Sequence, residues 1–494
     1  MRSLKELFSD TLIYGISSVF ARFINYLLIP LYTGVFDTDQ YGVVSLVYAA
    51  LAFLNVLLTM GMESAYLRYG KDRDTAKSTF KTLQLFLLGA SAVLLGLLYA
   101  SESWVVGPLR ISDGSPVFLM MLGILFFDTL SIVPFAELRL VRKAWSFALL
   151  RTTNVLINLA LNFYLILSLD FGIEAIFISN LAASGITAIL IWAITFNMLA
   201  GAWNGAVLKQ ALAFGLPFIP AGIGYAINEM LDRFFLNELD PFILENLYGI
   251  PLTPDDVVGI YSACYKLAVF MLLFVQMFRM AWQPFFMRKS EGNDAAILFA
   301  DTFRYFNVGA AAIYLLVSLF VAEIAAIRIP GLGYTIVDSD YWMGLPIVPF
   351  LLAAYWFQGW YVNFSAGIFI SEKTKRLAQI TLSGALITIV ANLGLIHFYG
   401  MLGSAIATVL SYAAMALLIH NYSTKAFAVP YPLYRGFIII CICGVTVWAQ
   451  SFLSEFNFSH LWGSLGLFVS AMVIVIGISL PGIAKTQMDE KPAS

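Results

Sequence analysis

Fourteen predominantly apolar stretches, each about as long as a bilayer crossing requires, run almost end to end through the 494 residues of this chain. A helical crossing needs roughly 20 mostly apolar residues. Such stretches lie near 10–36, 41–69, 79–99, 116–138, 146–167, 174–197, 207–237, 257–287, 303–326, 344–370, 377–398, 401–424, 433–453 and 461–482. The division of 377–424 rests on the break Tyr399-Gly400-Met401. In hydrocarbon every backbone N–H and C=O must be paired within the chain, so segments of this kind are helices. Composition closes off the alternatives. Only 12% of the residues are charged, about half the share of a soluble globular domain, which excludes a water-soluble enzyme or a nucleic-acid binder. The expected fold class is an all-α polytopic membrane protein of about fourteen transmembrane helices.

The net charge of −2 names no partner, but the distribution of the cations is informative. With the N-terminus on the cytoplasmic side, the inner segments hold twenty-one Lys and Arg and the outer loops only Arg110 and Arg328. Cytoplasmic loops carry such an excess, and one miscounted span would destroy it, so both termini are expected inside. No small-residue cleavage site follows the first apolar stretch, which is expected to stay in the membrane. The longest outer connection, near 238–256, is acidic and too short for a separate catalytic fold. Cys264, Cys441 and Cys443 sit in apolar segments without a CxxC pair and are expected to be buried small hydrophobes. His397, His420 and His460 are scattered, so no metal site and no cofactor are expected.

A weak repeat runs through the chain. Tyr41-Gly42-Val43 opens the second span and Val258-Gly259-Ile260 the eighth, 217 residues apart and each after acidic residues. Phe171-Gly172-Ile173 and Tyr399-Gly400-Met401 precede the sixth and twelfth at an offset of 228. Six helices separate the copies, so the halves share one orientation, as suits a two-lobed transporter. Chance recurrence of short glycine turns is the other reading.

Five cations remain inside spans: Arg22, Arg151, Arg233, Lys266 and Arg279. A cation at mid-bilayer costs about 2.5–3.5 kcal/mol on insertion scales and normally faces the bundle interior or a wet cavity. Polar residues recur around these at helical steps: Tyr14, Ser18, Arg22 and Asn25 in the first span, Arg151, Asn154, Asn158 and Asn162 in the fifth, and Asn55, Thr59 and Glu63 in the second. Ser262, Lys266, Gln276 and Gln283 share a broad face of the eighth. These stripes point to an aqueous cavity, with Glu63 and Asp128 as candidate coupling carboxylates. Arg22 and Asp128, at similar depth, could instead be a buried pair, and Glu229 and Asp232 with Arg233 an outer structural one. Trp356, Gln358, Trp360 and Tyr361 could stack on a sugar, although aromatic packing explains them as well. Cations in a partly wet cavity favour a phosphate or diphosphate head group. A drug-cation antiporter would need an unpaired carboxylate in the lumen, and the first span has none at its centre.

Several stretches together resemble the polysaccharide biosynthesis (Wzx-like) oligosaccharide flippase branch of the multidrug/oligosaccharidyl-lipid/polysaccharide (MOP) exporter superfamily. They are Asp10-Thr11-Leu12-Ile13-Tyr14-Gly15, the run from Arg22 to Thr33 with Tyr41-Gly42, Gly61-Met62-Glu63 with Arg68, Pro134 to Arg139, Leu231-Asp232-Arg233-Phe234, Val258 to Ala268 and Glu372 to Lys375. The resemblance implies two pseudo-symmetric six-helix lobes, 1–206 and 207–428, with two accessory C-terminal helices in 429–494. It implies a flippase rather than an enzyme, moving undecaprenyl-diphosphate-linked oligosaccharide from the inner to the outer leaflet of a bacterial inner membrane by alternating access. On this resemblance the substrate-binding cations are Arg22, Arg151, Lys266 and Arg233; the polar stripes themselves lead to Ser18, Asn25, Asn55, Asn154, Asn158, Asn162 and Gln276 as the expected cavity lining. The expected partners are the lipid-linked oligosaccharide and the bilayer, with a polysaccharide polymerase and glycosyltransferases as neighbours and no nucleic acid. A multidrug cation antiporter of the same superfamily is the alternative. A membrane glycosyltransferase or polymerase is a more distant one, because such enzymes carry a large outer catalytic loop that this chain lacks.

Overall fold

The computed structural model describes residues 26–479 apart from 291, 293, 372, 374 and 454–459. Among the described residues the only strand-like feature is one bridge, Arg328 with Thr335; the rest is helix and connection. Twelve helical stretches there are long and apolar enough to cross a membrane. One of them, Arg376–Ala426, is two helices merged at Gly400, whose φ of 53° and ψ of −129° are non-helical. The described residues are therefore compatible with the fourteen spans expected, the first of which lies mostly outside them. The all-helical membrane fold follows directly from the sequence.

The helices are α1 Ile29–Val35, α2 Thr38–Thr59, α3 Met62–Tyr69, α4 Ala76–Ala100, α5 Glu102–Val106, α6 Pro116–Leu140, α7 Ala144–Leu169, α8 Glu174–Thr195, α9 Gly205–Gly215 and α10 Phe218–Asn237. They continue as α11 Pro241–Tyr248, α12 Pro254–Tyr265, α13 Val269–Lys289, α14 Ala295–Leu319, α15 Val321–Ala326, α16 Val348–Ile370, α17 Lys375–Ala426, α18 Leu433–Leu453 and α19 His460–Ser479. Local chemistry sets their starts. Asp37 and Gln40 form a capping box on α2, and the Ser115 hydroxyl accepts from the Val117 N–H ahead of Pro116 on α6. Each satisfies backbone donors that the first helical turn leaves open.

Two compact units divide the chain. The first is the described part of Met1–Ala263 with Arg328–Tyr341 and Thr381–Ser404; the second is Cys264–Ile327, Trp342–Ile380 and the described part of Ala405–Ser494. In the first unit α8 packs against both α6 and α7, and α2 against α10. The end of this unit expected to face the cytoplasm is held by charge. Glu137, 4% exposed, accepts from the Tyr66 hydroxyl at 2.7 Å and from both terminal nitrogens of Arg73 at 2.6 and 3.1 Å. Those bonds raise the Arg73 pKa above its ordinary value. Beside them Glu63 pairs with Arg139.

In the second unit Asn307 accepts the indole N–H of Trp356 at 2.9 Å and of Trp360 at 2.8 Å. Both rings are fully buried, so this aromatic cluster is packing. Cys264 and Cys443 are buried as expected, whereas Cys441 is exposed. Positions two apart on a helix lie about 200° apart, so Cys441 and Cys443 take opposite faces.

The repeat has a structural counterpart inside the first unit. A methyl group added to Gly42 of α2 would collide with the carbonyl oxygen of Asp255, and one added to Gly259 of α12 with the carbonyl oxygen of Thr38. Gly42 and Gly259 are 217 residues apart, and so are Thr38 and Asp255. The contact is its own image under the repeat. The Thr38 hydroxyl donates to Asp256 across it, and the Tyr341 hydroxyl donates to the Phe36 carbonyl at 2.7 Å nearby.

Gly400 yields a first prediction. Its φ and ψ suit only glycine, the Met401 N–H donates to the Tyr248 hydroxyl at 2.8 Å, and a Cβ at Gly400 would overlap that same hydroxyl. Gly400→Ala is expected to cost about 1–3 kcal/mol, read as a lower melting temperature of the purified protein. Tyr248→Phe, which clears part of the space, should recover some of the loss in the double variant.

Candidate functional site

Four helices of the first unit surround a cavity of about 210 Å³. α2 contributes Asn55; α6 contributes Asp128, Ser131, Ile132 and Phe135; α7 contributes Arg151 and Asn154; α8 contributes Asn180, Ser184 and Thr187. Helical periodicity explains the grouping. Asn180, Ser184 and Thr187 follow at steps of four and three, and Arg151 and Asn154 at three, so each set shares one face. On α7 the exposed Leu149, Leu156, Tyr164 and Leu167 lie about 180° from the Arg151 stripe at 100° per residue. One face of α7 suits lipid and the other a polar interior.

The cavity is built from satisfied but still capable groups. Asn154 donates its side-chain N–H to the Thr187 hydroxyl at 3.0 Å, and Asn180 donates to the Tyr48 hydroxyl at 3.2 Å. Ser131 donates to the Phe127 carbonyl at 2.8 Å, and Ser184 and Asp128 lie together on the cavity wall. The Arg151 guanidinium lies over the Phe135 ring at 4.2 Å and near Phe147 at 5.7 Å. It is therefore held by aromatic faces, and its edge N–H groups share the cavity with the Asp128 carboxylate.

The structure brings Asn55, Asp128, Arg151 and Asn154 together and sends other expected residues elsewhere. Arg22, Ser18 and Asn25 lie outside the described residues. Asn158 and Asn162 continue the α7 stripe away from the cavity: Asn162, fully buried, donates to the Asn158 side chain at 2.9 Å and accepts from the Tyr32 hydroxyl at 2.9 Å. Arg233 is 7% exposed and donates to the Asp232 carboxylate and the Glu229 carbonyl, both at 2.8 Å, while the Tyr261 hydroxyl donates to Asp232 at 2.6 Å. That is the structural pair, with the adjacent residue as its carboxylate. Glu63 forms the Arg139 pair described above and is not among the described residues lining the cavity. Lys266, half-buried, opens a 3-10 turn, Lys266–Ala268, between α12 and α13. Ser262 precedes the turn on α12, and Gln276 and Gln283 follow it on α13. Gln276 is half-buried on α13.

Sequence reasoning missed Ser131, Asn180, Ser184 and Thr187. The signal was present in the sixth span as a polar stripe at steps of four and three. It was weak because no charged residue marked it.

The model of a family described as polysaccharide biosynthesis protein matches residues 35–291. No curated protein sequence matches the chain. Among solved structures, the lipid II flippase MurJ in an inward closed conformation is similar with a TM-score of 0.65 at 14% identity, covering 96% of this chain and 100% of that one. An inward-facing multidrug resistance MATE family transporter of the MOP superfamily gives 0.63 at 13% identity, over 84% of this chain and 94% of that one. A MOP superfamily transporter from Pyrococcus furiosus, described for the reverse polarity of its binding pocket, gives 0.54 at 14% identity, over 85% and 95%. These likenesses establish a shared fold.

Proposed function

Because the chain belongs to the polysaccharide biosynthesis protein family, we propose that it is a flippase for undecaprenyl-diphosphate-linked oligosaccharide in a bacterial inner membrane, with both termini cytoplasmic. One observation carries the reading: a cavity among membrane helices lined, among the described residues, by three amides, three hydroxyls and one ion of each sign. Groups of that kind are costly in hydrocarbon and mark paths for hydrophilic cargo. The shared fold with a lipid II flippase supports it. In this reading the glycan enters polar space, the prenyl chain stays in lipid, and the two six-span lobes expected from the sequence alternate access. Arg22 and Lys266 attract the diphosphate. Arg233 drops out because Asp232 already neutralises it.

The test is export of surface glycan in cells that require it. Arg22→Glu combined with Lys266→Glu is expected to abolish export at unchanged protein level, and Arg22→Lys with Lys266→Arg to retain it. If charge reversal at both positions leaves export intact, the cationic reading is wrong.

A second reading has one observation in its favour. Asp128 places a carboxylate on the cavity, although Arg151 shares it, and MATE transporters share the fold. Overexpression would then raise resistance to cationic dyes, and Asp128→Asn would abolish that resistance.

A further inference from the structure

Among the described residues the cavity in the first unit is small and its lining carries one charge of each sign, and these two properties limit what fits it. The cavity measures about 210 Å³. Sites for drug-sized ligands run from about 300 to 1,000 Å³. A lipid-linked oligosaccharide therefore engages this cavity with one residue only. Charge selects among its parts. A diphosphate would gain Arg151 but would meet the Asp128 carboxylate across the same small space, and an organic cation would meet the converse.

Uncharged hydroxylated rings face neither conflict. A sugar hydroxyl both donates and accepts, and its neighbours do the same, so a matching wall needs donors and acceptors close together. Arg151 supplies edge donors, Asp128 supplies acceptors, and Asn55, Asn154 and Asn180 supply amide oxygens. Hydrogen bonds to the two charged groups are the strong ones. Arg151 is held over Phe135 before any ligand arrives. Preorganised partners lose little entropy on binding.

Building on the flippase reading, we infer that this cavity is a recognition subsite for a single uncharged sugar residue of the cargo, with Asp128 and Arg151 as its selectivity pair. The diphosphate is held elsewhere. Arg151 thereby changes from an expected phosphate ligand to a sugar ligand.

The experiment uses the full chain in nanodiscs, with Cys264, Cys441 and Cys443 replaced by serine or alanine and Ile132→Cys, at a lining position with no polar role, introduced as a reporter. Maleimide labelling of that cysteine is timed in the presence of free neutral hexoses, 6-deoxyhexoses and N-acetylhexosamines, of inorganic pyrophosphate, and of tetramethylammonium. At least one sugar should slow labelling several-fold, and the two ions should not. Asp128→Asn, nearly isosteric, should weaken that protection about tenfold, the size of one lost charge-assisted hydrogen bond. Asn154→Ala should weaken it as well, and serves if Asp128→Asn proves unstable on melting. Protection by pyrophosphate or tetramethylammonium, or by no sugar in the panel, overturns the subsite. Those outcomes leave the flippase reading to the export assay with Arg22 and Lys266, which fails or stands independently.

Discussion

Valine at Gly42 or at Gly259 is expected to abolish export and to lower the melting temperature by a similar amount at either position. A Cβ at Gly42 runs into the Asp255 carbonyl and a Cβ at Gly259 into the Thr38 carbonyl, with backbone rather than a flexible side chain as the obstacle. The starts of α2 and α12 would have to move apart. Overpacking against side chains typically costs about 1–3 kcal/mol, and a backbone obstacle belongs at the upper end of that range or beyond it. Separation would also disturb the Thr38–Asp256 hydrogen bond that spans the contact. Since both glycines relieve one contact, the double variant should cost less than the sum of the singles. Gly89→Ala and Gly96→Ala on α4 are the controls: nothing lies within 4 Å of a Cβ at either, and each should be neutral or slightly stabilising. Wild-type melting and export by Gly42→Val would show that the helix starts are not tightly apposed.

Asp232→Ala is expected to be the most damaging single change in a buried charge. Its carboxylate and the Arg233 guanidinium are 3% and 8% exposed, so removing it takes the ion-paired carboxylate from a cation in a site with little water. Breaking a buried pair in this way costs about 3–5 kcal/mol, and loss of the Tyr261 hydrogen bond adds to it. Tyr261→Phe alone should cost only about 1–2 kcal/mol, the range for one hydrogen bond to a charged group. Replacing both members, Asp232→Leu with Arg233→Met, should recover most of the stability, because a well-packed apolar pair avoids the desolvation cost. Thermal unfolding of the purified protein orders the four variants. Recovery of export along with stability in the double variant would confirm that Arg233 holds the fold and does not bind cargo.

Much of the fold was legible because a bilayer allows few solutions. Length and apolarity identified the spans, and Tyr399-Gly400-Met401 correctly divided the longest one at a backbone that only glycine tolerates. The candidate site was legible by half. Arg151 and Asn154 were expected on one polar face, and both line the cavity with Asn55 and Asp128. The same stripe misled two turns further along, where Asn162 turns to Tyr32. Periodicity states which residues share a face, and says nothing about what that face meets.

The sequence by itself determined that this protein is a bundle of membrane helices and where its cations lie along the chain, because backbone pairing in hydrocarbon and the charge of connecting segments are local properties. Only the tertiary structure decided the partners. Asp128 shares a cavity with Arg151, Glu63 pairs with Arg139, and Gly42 meets Asp255 across 213 residues of chain. Each of these depends on the rotation of one helix about its axis relative to another. That rotation is set by the packing of side chains from distant segments, which no single stretch of sequence contains.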